Sequence, residues 1–256
     1  MELIRIACPF NQWGIDILGP FPPAASQKKF IIVAVEYFTK WVEAEALAKI
    51  SEKEVINFIW KNIICRFGIP RVLISDNCTQ FQGKAIVAWC KELKIQQSFT
   101  VVGNPQVNGQ IEVTTRTILQ HLKTRLEGAK GLWIEELLGV LWAYRTTPRS
   151  STGETPFCLV YGTEAIIPAE IGEETQRVAQ YDVTKNQEER VFDLIVIEEK
   201  RDAAYARILH HKEFMMRSYN KKIRLRCFQV GDLVLKKVEV SKHVENWTPD
   251  GKDLSR

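Results

Sequence analysis

Three carboxylates in this chain stand where they could do chemistry together. They are Asp16 in Trp13-Gly-Ile-Asp-Ile-Leu-Gly-Pro20, Asp76 in Ile74-Ser-Asp-Asn-Cys-Thr-Gln-Phe81, and Glu112 in Asn108-Gly-Gln-Ile-Glu112, with 35 residues between the last two. Carboxylate oxygens suit hard divalent cations and leave coordination places for phosphate and water. Acidic groups gathered from strand ends and a helix therefore imply phosphoryl transfer on a nucleic acid. Each also has a plainer role. Asp76 before Asn77 fits a turn or helix cap. Glu112 fits an i,i+4 pair with Arg116, worth a few tenths of a kcal/mol. Asp16 lies in an otherwise apolar stretch, where a buried carboxylate needs a cation or a metal beside it.

The elements that must position these groups can be read from periodicity. Residues 15–18, 30–35 and 41–47 read as strands, the first two joined by a turn rich in Pro, Gly and Ser. Ser51 with Glu54 three residues on is a capping-box signature. Val55, Ile56, Ile59, Ile63 and Ile64 then recur at helical spacing until Gly68 and Pro70. Residues 71–75 read as a short buried strand that delivers Asp76 at its C-terminal end, the edge where ligands gather in α/β sheets. A helix over 82–93 and a strand over 95–99 follow. Residues 101–109 read as a loop because of their Asn-Pro and Asn-Gly breakers. From Gln110 an apolar stripe of Ile111, Thr115, Ile118, Leu119, Leu122 and Leu126 marks a third helix, with Glu112, Arg116 and Lys123 along one side. A fourth helix over 132–146 reads as apolar nearly all round. Glu36, Glu43 and Glu45 alternate with core residues and read as solvated strand positions, whereas Trp133, Trp142 and Tyr144 read as packing residues.

Composition sets outer bounds. With 256 residues, 45% of them hydrophobic and 10% aromatic, the chain can bury a core of roughly 150 residues and carry flanking pieces. The net charge of +4 hides an asymmetry: residues 160–199 hold 3 Lys/Arg against 10 Asp/Glu, and residues 200–240 hold 11 against 4. A basic C-terminal module that meets nucleic acid follows from that pattern. The six cysteines form no Cys-x-x-Cys pair, so neither a disulfide framework nor a zinc site is expected. No apolar run nears the ~18 residues of a membrane span, and an intracellular setting with no membrane partner is the expectation.

The carboxylates and their surrounding words resemble the D,D(35)E core of retroviral-type integrases, most closely those of gypsy-type LTR retrotransposons of plants. Four ordered stretches carry the resemblance: Gln12 to Pro20, Ser75 to Phe81, Asn104-Pro-Gln-Val-Asn-Gly-Gln-Ile-Glu112, and Trp142-Ala-Tyr-Arg-Thr-Thr-Pro-Arg149 with Gly153-Glu-Thr-Pro-Phe157. The resemblance implies an α/β, ribonuclease H-like core with a five-stranded mixed sheet flanked by helices, followed by a helical and partial small-barrel extension. It implies a core over 1–160, an acidic linker over 161–183, a helical extension over 184–219 and a basic, truncated start of a small barrel over 220–256. By the same resemblance, Asp16, Asp76 and Glu112 are catalytic and hold two Mg²⁺ (or Mn²⁺) ions. Asn108, Gly109 and Gln110 form a mobile loop, and with Arg116 and Lys123 they contact DNA.

The implied activity is 3′-end processing and strand transfer of DNA by a homo-oligomer acting in the nucleus. The family's His/His/Cys/Cys zinc domain is not expected in this chain, since no cysteine pair stands near His121, His210, His211 or His243. Cys78 stands where these integrases usually have Gly, which implies a positive φ after Asp76. Two other readings stay open: a non-catalytic DNA-binding remnant of a retrotransposon polyprotein, and a ribonuclease H-like nuclease.

Overall fold

The computed structural model describes residues 8–99, 105–125, 133–166 and 183–222. They fall into two compact units that meet in sequence at Thr147 and Pro148. Strands β1 (Gln12–Leu18), β2 (Phe30–Glu36), β3 (Val42–Leu47), β4 (Val72–Ser75) and β5 (Gln96–Phe99) form one sheet in the order β3-β2-β1-β4-β5. The hairpin-joined pairs β1/β2 and β2/β3 are antiparallel, while β1/β4 and β4/β5 are parallel, as helical crossovers require. This is the five-stranded mixed sheet of a ribonuclease H-like core.

Helices cover the sheet. α1 (Glu52–Phe58) runs through a π-helical stretch, Ile59–Ile64, into α2 (Cys65–Phe67). Ser51 caps it, its Oγ accepting from the Glu54 N–H at 3.3 Å. α3 (Thr79–Gln82) and α4 (Lys84–Glu92) follow β4, and Glu52 Oε2 accepts from the Ala85 and Ile86 N–H groups at the start of α4. α5 (Pro105–Arg125) and α6 (Trp133–Thr146) pack on the β1–β3 side. Leu18, Ile31, Val33, Val35 and Val42 from the strands meet Ile111, Ile118 and Leu122 of α5 and Trp133, Leu137, Val140, Leu141 and Tyr144 of α6 in one buried cluster. Trp133 stacks on Phe21 at 5.0 Å and donates its Nε1–H to the Pro22 carbonyl.

Several expectations are corrected by this packing. Glu36 and Glu43 are 0% and 4% exposed, each enclosed by the hydrogen-bond donors it meets. Glu36 accepts from the Phe38 and Thr39 N–H groups and from Thr39 Oγ1, closing the β2–β3 turn. Glu43 accepts from Trp41 Nε1, Arg66 Nη1 and Arg145 Nη2. Glu45 is half-buried and accepts from Asn62. Trp142 is 38% exposed and Leu138 73%, so α6 keeps a solvent side. Residues 105–109 are helical, not a loop: Pro105 opens α5 with its φ already set for a helix, and the 21-residue run absorbs the roughly 1 kcal/mol cost of Gly109.

In the second unit, Thr155 caps α7 (Pro156–Tyr161) by accepting from the Cys158 N–H, and Gly162, at φ 87°, ends it. α8 (Val183–Lys222) is a single 40-residue helix that buries Ile197, Ala204 and Ile208. Lys200 Nζ donates to the Gly162 carbonyl and Arg201 Nε to that of Leu159. Leu126, most of the acidic 161–183 segment, and all but the first three residues of the basic 220–256 segment, read as the start of a small barrel, lie outside the described residues.

Candidate active site

The β1/β4 register fixes the first two carboxylates. Ile15 pairs with Ser75, so Asp16, inside β1, stands beside Asp76, the residue that follows the C-terminal end of the parallel strand β4. Asp16 pairs with Val33 of β2, and Gly14 with Val35. Directly paired residues share a face, and Val33 and Val35 belong to the cluster that holds Ile111, Ile118 and Leu122. Asp16 therefore stands on the face that α5 covers. Glu112 follows the buried Ile111 on that helix and is exposed. Asp16 and Asp76 thus stand side by side, and Glu112 lies on the helix that covers the same face of the sheet.

Local chemistry explains how the edge is built. Gly14 is required by close approach, since a Cβ there would meet Tyr37 Cε2 at 2.8 Å. Asp16 is half-buried, and its Oδ1 accepts from the Ile17 N–H at 2.9 Å. After Asp76 the chain turns into α3, and Cys78 reaches back to both carboxylate oxygens. Its N–H donates to Oδ1 at 3.2 Å and its thiol to Oδ2 at 2.7 Å. Burial, then the hydrogen bond to Asp76, the charge of Asp76 and that of Asp16, hold the thiol protonated, pushed up to about 12. Cys78 has φ −68° and ψ 147°, an ordinary extended conformation, so the positive φ expected after Asp76 is not there. The side chain is carried on ordinary backbone and contributes a hydrogen bond.

Arg116 and Lys123 are exposed, one and three turns beyond Glu112 on the same side of α5. Asn108, Gly109 and Gln110 lie in the first turns of α5, where their backbone is helical. The donors at the sheet edge are all carboxylate oxygens, the set that hard divalent cations take. Among the described residues, the one group of three whose ligand atoms all lie within 4.8 Å is elsewhere, at Glu154, Cys158 and Glu164 in the second unit. That cluster is already wired into the protein: Glu154 pairs with Arg207 at 3.1 Å, and Glu164 accepts from Thr155 Oγ1 at 2.8 Å.

Residues 7–105 match the family model described as the integrase core domain. The chain carries an integrase core. It is 24% identical over 240 residues to the retrovirus-related Pol polyprotein from transposon 412 of Drosophila melanogaster, covering 92% of this chain and 19% of that protein. It is 31% identical over 170 residues to the Gag-Pol polyprotein of avian reticuloendotheliosis virus, covering 66% of this chain and 14% of that one. The chain therefore spans about a fifth or less of the length of these relatives. In structure it resembles a chain of the simian T-cell lymphotropic virus intasome in complex with PP2A regulatory subunit B56 gamma. That likeness has a TM-score of 0.52 at 20% identity, over 62% of this chain and 57% of that one, and shows the shared fold.

The integrase core also contains groups that sequence reasoning missed. The Cys78 thiol bond had no signal beyond the residue's replacement of an expected glycine. The Glu43 hub, which joins β3 to α2 and α6 through Arg66 and Arg145, was hidden because an alternating strand looks the same whether its outer face meets water or a helix. Arg145 also lies 4.5 Å over the Trp41 ring and donates from Nε and Nη2 to the Val42 carbonyl.

Proposed function

We propose that this integrase core carries out metal-dependent 3′-end processing and strand transfer of DNA, as part of a polyprotein of gypsy-type retrotransposon character. The observation that supports the reading is the β1/β4 register, which sets Asp16 of β1 beside Asp76, the residue that follows β4, on the face that α5, the helix carrying Glu112, covers. Asp16, Asp76 and Glu112 would hold two Mg²⁺ or Mn²⁺ ions. Bound there, such a pair supplies an activated water or 3′-hydroxyl and charge stabilisation for the departing 3′-oxygen.

The chain's own residues do the rest. Three carboxylates would be mutually repulsive without cations among them, so the edge selects dications over neutral ligands. Arg116 and Lys123, continuing the exposed side of α5 from Glu112, offer positive charge to the phosphates of a DNA strand laid along the helix. Asn108, Gly109 and Gln110, at the start of α5, complete the surface that meets the DNA end. The nucleophile comes from water or DNA, so no covalent enzyme intermediate is required. A homo-oligomer would hold the two ends of the element together.

A disintegration assay tests the reading. The purified chain is given Mn²⁺ and a branched DNA that mimics the joined product, alongside an RNA–DNA hybrid. Release of the joined strand with the hybrid left intact is the expected result. Cutting of the hybrid alone would make the chain a ribonuclease H-like nuclease, and inertness toward both would make it a non-catalytic DNA-binding remnant.

A further inference from the structure

We infer that the Cys78 thiol competes with the divalent cation for Asp76, so that this side chain sets how tightly the integrase core holds its metal. The inference rests on the metal-site reading above and adds a residue to it. Cys78 is the neighbour that engages Asp76 twice, through its N–H to Oδ1 and its thiol to Oδ2. The two bonds differ in what a substitution can do. The backbone N–H remains in every variant, whereas the thiol bond is removed by losing one atom.

A small dication binds a carboxylate oxygen at about 2.0–2.1 Å and demands near-ideal angles around itself. Oδ2 carries two lone pairs, so a proton donor seated at 2.7 Å does not close it altogether. It does take one of the two directions from which a cation could approach, and it stabilises the metal-free carboxylate. Cation binding must then push the thiol aside or accept poorer geometry. The backbone of Cys78 is extended where it delivers the thiol, and the residue is half-buried, so water does not freely replace the bond. A glycine at this position would leave Oδ2 clear.

A thiol is a weak donor, yet its acceptor here is charged, which strengthens the bond. Removing it should tighten metal binding by about three- to tenfold. The test titrates Mn²⁺ by calorimetry into the full chain, as wild type, Cys78→Ala, Cys78→Ser and Asp76→Asn, with thermal unfolding of each metal-free protein as the check on folding. Cys78→Ala should bind Mn²⁺ more tightly than wild type by that factor, and Cys78→Ser, whose hydroxyl also donates, should stay near wild type. Cys78→Gly carries the same expectation as Cys78→Ala and stands in for it should the alanine variant fold poorly. Equal or weaker binding once the thiol is gone overturns the competition while leaving the metal site in place. Wild-type binding by Asp76→Asn, or no binding by any of the proteins, removes the metal-site reading itself and this inference with it.

Discussion

At the scale of single residues, burial sets which groups can react. Cys90 is 1% exposed, and burial raises its thiol from the ordinary 9.0 to about 11. Cys8 and Cys65 are exposed. A thiol alkylates through its thiolate, so in the folded chain at pH 8 an alkylating reagent should label Cys8 and Cys65 first and spare Cys90, as peptide mass spectrometry can record. Equal labelling of all three would contradict the packing of α4. The same shift gives a stability term with a definite sign. The folded chain keeps the Cys90 proton that the unfolded chain releases, so this contribution is complete below pH 9 and is lost as pH rises through about 11. Gly14 belongs to this scale too. Gly14→Ala would drive a Cβ to 2.8 Å from the Tyr37 ring, in a strand that also carries Asp16. Overpacking of this kind costs about 1–3 kcal/mol, which a lowered unfolding temperature should show.

At the scale of elements, the polar links between strands and helices matter as much as the apolar cluster. Glu43 holds Arg66 at 2.6 Å and Arg145 at 2.9 Å from a position only 4% exposed. Glu43→Ala would leave the less exposed of the two cations, Arg145, without its carboxylate. A loss of about 3 kcal/mol in denaturant unfolding is expected, and a change below about 0.5 kcal/mol would show that the hub contributes little. Ile118→Ala should cost a further 2–5 kcal/mol, since its side chain is fully buried between α5 and the sheet. These elements were legible to different degrees. The strands and their order of appearance followed from short apolar runs and turn residues, and the α1 start from Ser51 and Glu54. The start of α5 did not, because Asn-Gly is a breaker by local propensity and only the continuous helix that buries Ile111 and Ile118 overrides it. Glu36 and Glu43 looked solvated because the sequence gives the period of a strand but not what covers its second face. Resemblance and spacing singled out the three carboxylates, and the β1/β4 register sets two of them, Asp16 and Asp76, side by side, whereas the Cys78 bond needed the turn after β4 to be seen.

At the scale of the whole chain, charge is divided along α8. Its first half, 183–202, holds six Asp/Glu against four Lys/Arg, and its second half, 203–222, one against five, namely Arg207, Lys212, Arg217, Lys221 and Lys222. Basic residues that neutralise DNA phosphates release counterions, and each contact adds about 0.9 to the slope of log affinity against log salt. Arg217 and Lys221 are exposed. Neutralising both, as Arg217→Gln with Lys221→Gln, should weaken binding to duplex DNA equally for unrelated sequences and flatten that slope by one to two. An unchanged slope would make the basic half of α8 a solvated surface only. The central claim is that three carboxylates, from β1, the end of β4 and α5, make one metal-dependent centre. It is tested most directly by Mn²⁺-dependent strand transfer of a labelled DNA end by wild type, Asp16→Asn, Asp76→Asn and Glu112→Gln. These substitutions remove charge and almost no volume, so folding should be unaffected. The account predicts joining by wild type and none by any of the three variants. Wild-type joining by even one of them would contradict it.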